Sequence, residues 1–124
     1  MSKLKNEIKS CMRNLSKGDP KTLTARFCFP QDFLGFKGHF PGRPILPAVC
    51  QIQAAILMLQ EAKQKSVRLK EIILAKFFAP VTADKEVIFS LKESAAFEAE
   101  EEIEVLVSYK DKKISQLKLR VTFE

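Results

Sequence analysis

Along residues 22–29 every second position is apolar, Leu23, Ala25, Phe27 and Phe29, and this period of two predicts a strand with one face turned inward. The same alternation returns downstream. Val87, Phe89 and Leu91 predict a strand over residues 85–92, and Ile103, Val105, Val107 and Tyr109 predict one over 102–109. Leu117, Leu119, Val121 and Phe123 predict another, set off by the polar turn Lys110-Asp111-Lys112-Lys113. Residues 68–79 carry Ile72, Ile73, Leu74, Phe77 and Phe78 and predict a strand that Pro80 closes.

Two segments break the alternation. In residues 3–15, Leu4, Ile8, Cys11, Met12 and Leu15 recur at helical spacing and predict a short amphipathic helix, which Ser16-Lys17-Gly18-Asp19-Pro20 ends. Residues 48–62 are apolar on nearly every side, interrupted by Gln51, Gln53 and Gln60 before a charged end. Such a helix is expected to be buried all round. One buried helix and about five strands predict an α+β fold, an antiparallel sheet wrapped around one long central helix. A length of 124 residues, without internal repeat or low-complexity stretch, fits one domain over 1–124. Within it, 1–20 form a helix and linker and 47–62 the central helix.

Composition narrows the class. The longest purely apolar run, Ala54 to Leu59, is far too short to span a membrane. Nor does the amino terminus carry the apolar stretch of a signal peptide. Cys11, Cys28 and Cys50 are odd in number and scattered, which argues against a disulfide framework and for a reducing, cytoplasmic setting. One histidine and no paired cysteines leave no zinc site, so neither metal nor cofactor is expected. The net charge of +6 divides into +9 over residues 1–92 and −3 over 93–124. A basic body steers acidic partners. The lysines are dispersed and tryptophan is lacking, so nucleic acid is not expected. Glu98 and the run Glu100-Glu101-Glu102 are read as solvated charges rather than as a metal site.

The chemistry concentrates in Gly38-His39-Phe40-Pro41-Gly42-Arg43-Pro44-Ile45-Leu46-Pro47. It holds the only histidine, the side chain suited to moving a proton near neutral pH. Pro41-Gly42 suits the centre of a type II turn, and Pro47 fits the first turn of the helix that follows. The free N–H groups of Ala48 and Val49 then open that helix beside His39, ready to hold an oxyanion.

This block, with the spacing Gly-His-Phe-Pro-Gly-x-Pro-x-x-Pro ahead of a long apolar helix, resembles the signature of the hotdog-fold β-hydroxyacyl-(acyl carrier protein) dehydratases of fatty acid biosynthesis. A second block, Lys76-Phe77-Phe78-Ala79-Pro80-Val81-Thr82-Ala83-Asp84, is similar to the family's strand of the form K-F-x-x-P-V-x-x-x-D. The two place about residues 22–124 within the family's pattern. Pro47-Ala48-Val49-Cys50-Gln51 is similar to smaller dehydratase-like proteins of the aryl-polyene type. The resemblance implies that His39 removes the proton α to a thioester carbonyl and that the backbone N–H of Ala48 polarises that carbonyl. It places Phe40, Pro41, Gly42, Val49 and Cys50 against the substrate. It further implies a phosphopantetheine-linked acyl substrate on acyl carrier protein, and a homodimer or higher homo-oligomer with sites at the subunit interface.

One position departs from the family. The carboxylate that orients or protonates the leaving hydroxyl falls here on Gln53, whose amide forms hydrogen bonds but cannot cycle a proton. Glu61, eight residues on and about 12 Å along the helix, is too distant to replace it. Asp32, ahead of the loop, is the other acid considered. Three readings therefore stand: a dehydratase in which His39 does both proton transfers, a thioesterase in which Gln53 orients water, and a non-catalytic acyl- or carrier-binding subunit. Cys50 near the helix start is either a nucleophile paired with His39 or a buried small hydrophobe. Phe33, Phe36, Phe40, Phe77 and Phe78 are candidates for an acyl tunnel or for plain core. Arg43 is a candidate contact for a phosphate or an acidic carrier.

Overall fold

The computed structural model describes residues 3–18, 21–36, 45–97 and 100–124. In chain order they form α1 (Lys3–Ser10), β1 (Met12–Gly18), β2 (Thr22–Cys28), a single 3-10 turn (Leu34–Phe36), α2 (Ala48–Lys63), β3 (Val67–Phe77), β4 (Glu86–Phe97), β5 (Glu100–Tyr109) and β6 (Lys112–Phe123). The strands make one antiparallel sheet in the order β1-β2-β4-β5-β6-β3. Inward side chains of alternating register, Phe27, Phe89, Val105, Leu117 and Leu119 among them, pack with α2 in one core. This is the hotdog architecture expected from the sequence. Among the described residues no helix is long and apolar enough to cross a membrane.

The first segment differs from expectation. Helix α1 ends at Ser10, and the residues read as its continuation and as linker are strand β1. Cys11 turns its N–H back to Glu7 and Ile8, and Asn14 at φ 54° cannot continue a right-handed helix. The register of β1 against β2 slips between Arg13 and Ser16. That bulge leaves Met12 and Leu15 both half-buried, so two inward residues three apart imitate a helical period in a strand.

Helix α2 also differs at its start. Ala54 through Leu59 are buried without a break, as expected. The first turns are not enclosed: Val49 is 65% exposed and Ile52 and Gln53 are half-buried. Pro47 (φ −62°, ψ 150°) stands one position before the helix as its cap rather than inside the first turn. The turn between β5 and β6 is tighter than read. Lys110 and Asp111 alone form it, both at positive φ (47° and 65°), as a two-residue type I′ hairpin demands.

Two features position the site. Phe27 stacks on Phe29 and meets Phe89, while Phe33 bridges Phe29 and Phe36, so Phe33 and Phe36 belong to the core. Strand β3 lies at the edge of the sheet, and Leu69, Ile72 and Ile73 along it are exposed.

Candidate functional site

The two sequence blocks that carry the chemistry meet in space. Ile45 pairs with Thr82 across an isolated bridge, and the Leu46 N–H donates to the Val81 carbonyl at 2.8 Å. The chain leaving the proline-rich loop is thereby fixed against the end of the Phe77–Pro80 segment just as it enters α2. His39, Phe40, Pro41, Gly42 and Arg43 lie outside the described residues. The structure describes the segments on either side of them, ending at Phe36 and resuming at Ile45.

Among the described residues no side chain caps the start of α2, whose N-cap is Pro47. The Cys50 N–H turns back to the Pro47 carbonyl at 3.0 Å, and the Gln51 N–H reaches the same oxygen at 3.4 Å. The N–H groups of Ala48 and Val49 come before the first intrahelical donors and point out of the helix end. They carry the positive end of a sixteen-residue helix dipole. A carbonyl oxygen gaining negative charge is stabilised in that position.

Two depressions flank the helix start. One, of about 390 Å³, is lined by Ala48 and Gln51 together with Leu46, Phe77, Phe78 and Pro80. The other, of about 420 Å³, runs along Val49, Ile52, Gln53 and Ile56 toward Val67 and Leu69 of β3. The expected partners Ala48 and Gln53 thus line different depressions. Gln53 lines the groove beside the open edge strand, whereas Ala48 lines the depression on the Phe77–Phe78 side. Gln51, in sequence a break in an apolar run and the last residue of the segment similar to aryl-polyene-type proteins, is 2% exposed and accepts from Ser115 Oγ at 2.5 Å. The signal for Ser115 was its place in the inward register that Leu117, Leu119 and Val121 continue.

Cys50 is 1% exposed and lies beside Phe33, at the spot where a Cβ on Gly35 would approach its sulfur to 3.0 Å. Burial pushes its thiol pKa up, which removes the nucleophile reading and leaves a small hydrophobe. Of the two alternative acids, Glu61 is remote from the helix start. Glu61 pairs with Lys9 at 3.3 Å near the far end of α2, and Asp32 is exposed in the turn before the 3-10 residues.

The acidic run resolves into ion pairs. Arg120 holds Glu71, Glu102 (3.2 Å) and Glu100 (3.9 Å), stitching β3, β6 and β5. Glu101 instead faces Glu93, beside a cleft of about 220 Å³ near Lys21 and Lys63. Among the described residues no cluster of three or more metal-ligating side chains exists. Burial and the neighbouring Glu93 raise the pKa of Glu101. For Glu93, burial acts upward but is outweighed by Lys63, 2.9 Å away, and by the proton Glu101 offers, so its pKa falls. Glu101 therefore contributes stability that is full below its unfolded pKa and is lost as pH rises through its folded value. Glu93 contributes stability that is present above its unfolded pKa and is lost as pH falls through its depressed folded value. A neutral side chain at position 101 removes the like charge beside Glu93 at every pH. Glu101→Gln is expected to raise the melting temperature by about 2–4 °C at pH 8, with the gain vanishing near pH 4, in paired thermal melts.

Comparison with known proteins follows the same lines. The ApeI-like family, described as ApeI dehydratase, matches residues 15–118. No curated protein matches the chain. Among solved structures, the dehydratase heterocomplex ApeI:P from Xenorhabdus doucetiae superposes with a TM-score of 0.71 at 19% identity, covering 90% of this chain and 96% of that one. An HP0420 homologue from Helicobacter felis gives 0.71 at 14% identity, over 94% and 80% of the two chains. The candidate thioesterase yhdA from Lactococcus lactis gives 0.73 at 11% identity, over 99% and 97%. Likeness at these identities establishes the fold.

Proposed function

The chain belongs to the ApeI-like dehydratase family, and from that membership we propose that it dehydrates a β-hydroxyacyl thioester carried by acyl carrier protein. The observation that carries the reading is the uncapped start of α2, held by Val81 immediately after the His39 loop. The thioester carbonyl accepts a hydrogen bond from the Ala48 N–H, which acidifies the adjacent carbon. His39 takes the α-proton, the electron pair becomes the new carbon–carbon double bond, and the β-hydroxyl leaves. The imidazolium returns its proton to that hydroxyl, so one water departs and His39 is neutral again. Phe40, Pro41, Gly42 and Val49 border the acyl thioester, and Arg43 meets the phosphate of its pantetheine arm.

We place the active form as a homodimer within a reducing cytoplasm, each copy a single domain over 1–124. Exposed Leu69, Ile72 and Ile73 on an edge strand, continued by Val49 on α2, make a surface that a second copy covers. That contact encloses the Gln53 groove. Across that contact Gln53 of one copy orients the leaving hydroxyl of the substrate held at the other copy's Ala48, without supplying a proton. The same amide supports thioester hydrolysis as second reading, with Gln53 holding a water that His39 activates, and yhdA shares the fold.

Gln53→Glu separates the two. It restores a proton donor, a change commonly worth about 10²–10⁴ in rate, and is expected to speed enoyl thioester formation at least tenfold. Mass spectrometry of products from a β-hydroxyacyl-carrier substrate reads the result. Free acid as the sole product of both proteins would replace dehydration by hydrolysis.

A further inference from the structure

The two fully buried polar residues of the described core, Gln51 and Ser115, are each other's partner across the seam between α2 and β6. Their meeting has a visible cause. On β5, Val107 faces Ser115 while Ser108 faces Lys113, which leaves Ile114 as an extra residue in β6. The carbonyl of Ile114 takes the N–H groups of both Phe78 (2.8 Å) and Ala79 (3.2 Å). A bulge of this kind re-aims a side chain, and here Ser115 begins the inward register beneath the start of α2. The bulge, the end of β3 and Gln51 therefore converge on the depression that Ala48 lines.

A carboxamide has one acceptor oxygen and an amide nitrogen with two donors. Ser115 takes the oxygen. The nitrogen has no acceptor among the described residues. Gln51 lines the depression beside Ala48. Ala48 and Gln51 are three residues apart, so both belong to one face of the first turn. Among the described residues the remaining lining is apolar, Ile45, Leu46, Phe77, Phe78 and Pro80 among it, with Lys113 over the Phe78 ring 5.8 Å from its centroid. Two neutral donors among apolar walls suit a neutral acceptor such as a carbonyl oxygen.

We propose that Gln51, oriented by Ser115, donates a hydrogen bond to the substrate's thioester carbonyl beside the Ala48 N–H, completing a two-donor site for that oxygen. The assignment of the carbonyl rests on the dehydratase reading above. As the α-proton leaves, the oxygen gains negative charge, so both donors strengthen in the transition state. Ser115 acts through Gln51 as a positioning residue, because it fixes which end of the carboxamide faces the pocket.

The test uses the full chain with two non-reacting probes: a saturated acyl-N-acetylcysteamine thioester, and the matching thioether in which a methylene replaces the carbonyl. The variants are Gln51→Leu combined with Ser115→Ala, which removes both polar partners together and is close to neutral for folding, and Gln51→Asn, which withdraws the donor by one methylene. Each is expected to bind the thioester about tenfold more weakly than wild type while thioether affinity stays the same. With β-hydroxybutyryl-N-acetylcysteamine, kcat/KM is expected to fall about 10²-fold, and less for Ser115→Ala alone. Equal or absent changes for the two probes, or no thioester preference in wild type, would overturn the proposal. A wild type that dehydrates while both Gln51 variants match it overturns this assignment and leaves the dehydratase reading standing. Thioester-selective binding that needs Gln51, without enoyl product, keeps the donor and overturns the reaction.

Discussion

His39→Ala is expected to abolish turnover of a β-hydroxyacyl thioester while leaving the melting temperature and secondary structure unchanged. A positioned acid–base group is commonly worth about 10²–10⁴ in rate, and here one imidazole makes both proton transfers. The sequence contains no second histidine to take over. Its nearest alternatives are engaged or distant, since Glu61 is paired with Lys9 and the Cys50 thiol is buried with a raised pKa. The fold is expected to survive because the core of the described residues packs around α2 through Ala54–Leu59 and the sheet. Steady-state kinetics beside a thermal melt check both halves.

Ile72→Lys together with Ile73→Asp is expected to convert the proposed dimer to a 14.1 kDa monomer and to reduce activity by an order of magnitude or more. The two isoleucines are 47% and 37% exposed on an edge strand whose other face of hydrogen bonds is already used by β6. Charges on an exposed edge prevent strand addition, and they remove apolar surface whose burial stabilises the contact. Activity falls with assembly because the Gln53 groove runs from α2 to β3 and is open in one copy. Light scattering across a concentration series reads the assembly. A variant that stays dimeric would move the interface elsewhere.

How much of this was legible in the sequence depended on how local the cause was. The period of two in β2, β4, β5 and β6 is set by one buried face, so those strands were read closely. Strand β1 was missed because its bulge spaces Met12 and Leu15 three apart, which imitates a helix turn. The exposure of Val49 was missed because an apolar helix reads as enclosed by its own chain, whereas the first turn of this one leaves Val49 65% exposed. The helix start at Ala48 was legible from the prolines before it. Gln51 and Ser115 were not, since a polar residue in an apolar run declares its partner only after the sheet has brought the two within 2.5 Å. Nor could spacing alone show that Ala48 and Gln53 line different sides of the helix start.

The most direct measurement incubates the wild-type chain with a β-hydroxyacyl-carrier thioester and follows the acyl group by mass spectrometry, with His39→Ala alongside. The account predicts loss of one water from the acyl group, with the thioester bond intact, in the wild type alone. Free acid from the wild type, no reaction despite binding, or equal dehydration by His39→Ala would contradict it.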